Sequence, residues 1–186
     1  MRGKLAGILC IIFLLTGCKS TNSGVDRAVA LRNQLAECNG CTFSAKITAD
    51  YGENIYTFSM DCTVDKEGNL TFTVTEPTTI SGITGTISTS GGKITFDDKA
   101  LAFQMMADGQ ITPVSAPWLF IKTLRSGYLK GCSDEENGYQ ISIDDSYEEE
   151  ALHLNIWVEG NTPKFGEIFW NNRRVLTITV ENFTYL

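Results

Sequence analysis

The sequence predicts an α+β fold: a strongly curved antiparallel sheet of about eleven strands, its concave apolar face covered by two helices. Three observations carry this. Apolar and polar residues alternate with period two through most of the chain after Cys41. Helical spacing appears only twice, once before the strands and once midway. The apolar positions of successive strands also share one face, as in a one-sided antiparallel meander. So many strands cannot stay flat.

The elements follow in order. Ser23-Gly24-Val25-Asp26 fits a capping box, and Ala28, Leu31 and Leu35 continue at helical spacing, predicting a helix from Gly24 to about Glu37. Cys38-Asn39-Gly40-Cys41 ends it. Phe43, Ala45, Ile47 and Ala49 then alternate with polar residues, and Tyr56, Phe58, Met60, Cys62 and Val64 do the same after a turn at Tyr51–Asn54. If Tyr51 pairs with Asn54, Ile47 faces Phe58, Ala45 faces Met60 and Phe43 faces Cys62; a one-residue slip would undo every apolar match. Leu70, Phe72 and Val74 form a third strand, closed by Pro77. Ile83 and Ile87 with Ile94 and Phe96 suggest a hairpin across Gly91-Gly92, and a short strand runs near Leu101–Met106.

The second helix is predicted over Ala116–Arg125, with Ser115 as N-cap, Pro117 in the first turn and Gly127 as the stop. Strands return at about Tyr128–Cys132, Tyr139–Ile143, Ala151–Val158, Phe165–Trp170 and Arg174–Phe183. Asn171-Asn172 marks a hairpin whose turn could hold two residues or four.

Composition bounds the function. The 186 residues are 42% hydrophobic, 10% aromatic and 20% charged, which suits one globular domain and not a disordered chain. Fifteen Lys plus Arg stand against 22 Asp plus Glu, so a nucleic-acid partner, which needs a cationic face, is disfavoured. No cofactor motif is present.

The first residues read as an address. Arg2 and Lys4 precede an apolar run, Leu5–Leu15, too short to span a bilayer and right for a signal peptide over residues 1–17. Leu15-Thr16-Gly17-Cys18 resembles the bacterial lipobox. That resemblance implies cleavage before Cys18 and a diacylglyceryl group on its thiol, with Lys19–Asn22 as a polar tether and residues 23–186 as one domain. Two acyl chains suffice for stable anchoring. The expected location is the outer face of the cell membrane.

Lipobox, short tether, N-terminal helix, long meander and a helix inserted midway together resemble the LolA-like lipoprotein-carrier superfamily. The chain is also similar to clostridial lipoproteins of the spore-germination type, through Ala49-Asp50-Tyr51-Gly52, Glu76-Pro77, Ser81-Gly82-Ile83, Pro113–Pro117, Arg125-Ser126-Gly127-Tyr128 and Arg174–Phe183. The superfamily resemblance implies an unclosed half-barrel holding acyl chains under a helical lid.

Reactive groups are few. His153, the one histidine, lies on the polar side of a strand, and no Gly-x-Ser-x-Gly elbow accompanies it. Cys38-x-x-Cys41 closes a helix, where a redox motif would open one, and Cys62 and Cys132 supply no second pair for zinc. Export permits disulfides. Cys41 and Cys62 share a face diagonally across adjacent strands, which favours Cys41–Cys62 with Cys38–Cys132. The acidic runs Asp134–Glu136, Asp144-Asp145 and Glu148–Glu150 lack the order of a calcium loop and read as solvated. Trp118-Leu119-Phe120-Ile121 covers every side of a helix, so one face must meet loops, ligand or partner.

The expectation is a binding protein and not an enzyme. Phe43, Ile47, Phe58, Met60, Phe72, Val74, Trp118, Phe120 and Ile121 would line a groove for a lipid or an acyl chain of the palmitate type. The alternative is a lipid-tethered module that binds an envelope or germination enzyme, or pairs as a homodimer.

Overall fold

The computed structural model describes residues 23–88, 94–96 and 106–186. Helix α1 spans Ser23–Glu37. It is followed by β1 (Gly40–Asp50), β2 (Ile55–Asp65), β3 (Leu70–Glu76), β4 (Thr84–Ile87) and β5 (Ile94–Phe96). Single 3-10 turns at Ala107–Gly109 and Pro113–Ser115 lead into α2 (Ala116–Ser126). Then come β6 (Tyr128–Glu135), β7 (Gly138–Asp144), β8 (His153–Glu159), β9 (Thr162–Trp170) and β10 (Arg173–Tyr185).

The ten strands make one sheet in the order β5-β4-β3-β2-β1-β10-β9-β8-β7-β6. Two five-stranded meanders are thus joined where β1 pairs with β10, antiparallel. The outer strands β5 and β6 do not meet, so the half-barrel is unclosed, with two α-helices among the described residues, as predicted. The described strands number ten against about eleven expected. The predicted strand at Leu101–Met106 lies outside the described residues except Met106, which makes a single bridge to Ile111.

The register of the first hairpin is the one the apolar matching requires. Ile47 pairs with Phe58, Ala45 with Met60 and Phe43 with Cys62, and the Tyr51 N–H bonds the Asn54 carbonyl. The last hairpin resolves to a two-residue turn, because Trp170 pairs with Arg173. Asn171 and Asn172 sit at φ 48° and 61°, the left-handed pair that matches strand twist.

One helix-end expectation needs correction, and the other, the stop at Gly127, holds for a different reason. Ser115 is itself helical (φ −87°, ψ −6°) and does not cap α2 through its side chain. The capping box lies one turn earlier, between Thr112 and Ser115. Gly127 stops α2 with an extended backbone. It is glycine for space: a Cβ there would stand 2.6 Å from the Ile143 and Thr123 side chains.

Strand direction gives the sheet two ends. One carries the β2–β3, β6–β7 and β8–β9 turns and the C-terminus. Helix α1 lies at this end. Its first turn meets Cys132 and Asp134 of β6, and Asn39 just beyond it donates to the Leu186 carbonyl. The other end carries the β1–β2 and β9–β10 turns and the β7–β8 loop.

Candidate functional site

The space between sheet and helices is apolar but for one residue. Strand residues of alternating parity meet Ala28, Leu31 and Leu35 of α1 and Leu119, Phe120, Ile121 and Leu124 of α2 in one cluster. Thr123 is the one buried polar residue among those described, and its hydroxyl has no hydrogen-bond partner there.

The helices hold each other by their ends. Arg32 of α1 donates to the carbonyls of Leu124 and Gly127 at the close of α2 (3.0 and 2.5 Å). Arg125 of α2 donates to the Leu35 carbonyl at the close of α1 (2.9 Å). Each guanidinium satisfies carbonyls left open by a helix terminus and opposes the negative end of its dipole. Helix α2 meets the concave face by apolar contact. The ring of Phe120 lies over Gly166 of β9, where a Cβ would stand 2.5 Å from the ring edge.

Of the nine residues expected to line an open groove, eight are packed. Phe43, Ile47, Phe58, Met60, Phe72, Val74, Phe120 and Ile121 converge on the concave side, each at most 3% exposed. The physical reason is the seating of α2 on Gly166, which brings the helix down onto the sheet. Trp118 is half-buried and turns outward, its Nε1 donating to the Gly68 carbonyl (3.1 Å). It lines a groove of about 170 Å³ with Glu67, Gly68, Ile121, Lys122, Arg125 and Ser126.

The expected disulfides are not formed: Cys38, Cys41, Cys62 and Cys132 are free thiols. Cys132 touches the start of α1 at Gly24, whereas Cys38 follows its last turn, about 21 Å away at 1.5 Å per residue. No disulfide, and no shared metal ion, spans that distance. Cys41 pairs with Val64 and Phe43 with Cys62, so Cys41 and Cys62 are diagonal neighbours, at the edge of bridging reach. Burial pushes the Cys41 thiol up to about 12, with nearby Cys38 adding to the rise, and burial raises Cys62 as well. Neither carries the thiolate that redox chemistry needs. Cys18 and the leader lie outside the described residues.

The convex face holds a polar cluster that the sequence reading did not assemble. His153 Nδ1 meets Asp144 Oδ1 at 2.7 Å, and its Nε2 meets Ser142 Oγ at 3.3 Å and Asn155 Oδ1 at 3.2 Å. Lys130 Nζ lies 3.2 Å from the other Asp144 oxygen. Burial alone would raise the Asp144 carboxyl; hydrogen bonds from His153 and Lys130 outweigh it and hold it below the usual carboxylate range. The pairing of β7 with β8 sets Asp144 opposite His153 and Ser142 opposite Asn155. Alternation in both strands was the available signal.

Serine, histidine and aspartate thus stand in the order of a nucleophile, base and orienting acid. A hydrolase also needs free donors for an oxyanion and a pocket over the nucleophile. Ser142 lies mid-strand, between Gly131 of β6 and Asn155 of β8, its backbone inside the ladder. The neighbouring groove is lined by Lys130, Asp144 and Tyr147 and includes neither Ser142 nor His153.

The chain is similar in structure to an uncharacterised conserved protein of Thermus thermophilus (10% identity, TM-score 0.43, covering 90% of this chain and 88% of that one). It is similar also to a LolA superfamily protein of Nitrosomonas europaea (10%, 0.40, 84% and 92%). A putative outer membrane lipoprotein-sorting protein domain of Vibrio parahaemolyticus is a third (6%, 0.40, 88% and 92%). No family model and no curated protein matches the sequence. These are similarities of overall layout, and nothing about ligand or activity follows from them.

Proposed function

We propose that the protein is an extracytoplasmic lipoprotein, anchored through Cys18, that shelters an acyl chain between its concave sheet and its two helices. It acts by binding, without catalysis. The observation that carries this reading is the interior itself: an apolar face running from β4 to β10 under a helix pair whose members are tied to each other. The hydrogen bonds of α2 go to α1, to the end of β2 and to the β2–β3 turn, so its seat on the concave face is apolar. The pair can lift together, exposing Phe120, Ile121 and the strand residues beneath. An apolar site of this kind needs few polar groups.

Native and denaturing mass spectra of residues 19–186, purified from a bacterial host, test it. A mass excess lost on denaturation, and extractable as fatty acid or lipid, supports the reading. Bare polypeptide mass after incubation with palmitate sinks it.

A second reading rests on a separate observation. Ile55 and Tyr56, at the sheet end away from α1, are 66% and 50% exposed beside Tyr51. Such a tip suits a tethered module that engages an envelope or spore-germination enzyme.

A further inference from the structure

Resting on the reading of the chain as membrane-tethered, we propose that the groove between α2 and the β2–β3 turn binds the phosphate headgroup of an anionic lipid in the anchoring membrane. Three observations converge on it.

The first is charge. Lys122 and Arg125 flank the groove, and neither has a carboxylate within 4.0 Å among the described residues. Arg27, Arg173 and Arg174, by contrast, are each paired with an acid. Arg125 spends Nε and Nη1 on the carbonyls of Leu35 and Asp65, which fixes its position and leaves its charge unmatched. Lys122 Nζ stands 5.0 Å from the centre of the Trp118 ring. Glu67, the one acid at the groove, is exposed on the turn.

The second is shape. At about 170 Å³ the groove is below the ~300 Å³ at which pockets begin to enclose whole ligands. It suits a headgroup whose chains remain in the bilayer. Its wall is the half-buried Trp118, the residue type that settles at the headgroup level of membranes.

The third is position. The groove borders the β2–β3 turn, at the same sheet end as α1. Residues 19–22 between the lipidated cysteine and α1 reach at most about 14 Å. The tether therefore keeps the start of α1 near the bilayer, and the groove adjoins the last turn of the same helix, where Arg125 donates to the Leu35 carbonyl. The acidic chain as a whole is repelled by anionic lipid, so contact falls to this local pair of cations: Arg125, which pairs with no acid among the described residues, and Lys122, whose charge also acts on Asp145 from beyond 4.0 Å.

Residues 19–186 contain every described strand and helix, so this chain without its lipid is the test protein. It is mixed with phosphatidylcholine vesicles with and without phosphatidylglycerol, and binding is read by flotation and by tryptophan fluorescence. Binding is expected only with phosphatidylglycerol, with a fluorescence change absent in Trp118→Phe. Lys122→Gln should weaken it about fivefold, the share of one cation near a charged surface. Lys46→Gln, the same charge change on exposed β1, should leave it intact. No binding, equal binding to both vesicles, or equal loss in the two lysine variants overturns the site. The acyl-chain test reads occupancy of the interior, so either result can fail while the other stands.

Discussion

Arg32 and Arg125 cap each other's helices. Each reaches across to the other helix's last carbonyls, so two negative helix ends converge without repelling. Burial lowers the Arg32 pKa from its ordinary value, yet the side chain stays charged at neutral pH. Hydrogen bonds from a charged donor are worth about 1.5–3 kcal/mol each in mutational series. Arg32→Ala and Arg125→Ala should each lower stability by about that amount. In a double-mutant cycle by urea unfolding, the pair should couple by at least about 0.5 kcal/mol, because both act on one junction. Strict additivity would show that the two caps are independent.

Phe120 and Gly166 set how closely α2 approaches the sheet. A methyl at position 166 would stand 2.5 Å from Phe120 Cε2 and 3.1 Å from an Ile178 methyl. Gly166→Ala should therefore cost about 1–3 kcal/mol, the range for overpacking. Phe120→Leu in the same chain should restore part of the loss, since the ring is the obstacle. If the double variant is no more stable than Gly166→Ala alone, the strand itself and not the helix requires glycine.

Which features were legible in the sequence follows from their range. The β1–β2 register could be read because adjacent strands match residue against residue. The Asn171-Asn172 turn length could not, since both lengths keep the apolar faces aligned. The arginine caps join residues ninety or more positions apart, and no local pattern marks a guanidinium that will meet a distant carbonyl. Eight of the nine groove residues lie on the concave side and Trp118 turns outward, and burial against α2 depends on a ring-to-glycine contact that periodicity does not encode. The Cys38–Cys132 pairing fails because a whole helix separates the two residues, which local spacing does not reveal.

Asp144 and Asp145 are adjacent but should respond oppositely to charge removal. The Asp144 pKa is lowered in the folded chain, so its contribution is present above the unfolded value near ~4 and is lost as pH falls through the folded value. Asp145 is half-buried, and desolvation raises its pKa, so ionising it disfavours the fold as pH rises. Its Oδ1 accepts from the Leu152 N–H at 2.8 Å, a bond asparagine can keep. Asp144→Asn should lower the urea midpoint at pH 7 and flatten its fall in acid. Asp145→Asn should raise the midpoint at pH 7. The same sign for both would refute this assignment.

The thiols give the most direct check on the covalent state of the chain. Residues 19–186 hold four cysteines, all free. Cys41 and Cys62 are 2% and 3% exposed, with thiol pKa values raised by burial, so both accessibility and ionisation oppose reaction. Alkylation of the native protein near pH 8 should leave both unmodified, while Cys38 and Cys132, half-buried, react first. Unfolding in urea without reductant should then expose all four. Fewer than four reactive thiols in the unfolded chain would mean a bridge that this arrangement does not contain. Peptide mapping would then have to find it between Cys41 and either Cys62 or Cys38, because Cys38 and Cys132 lie at opposite ends of α1.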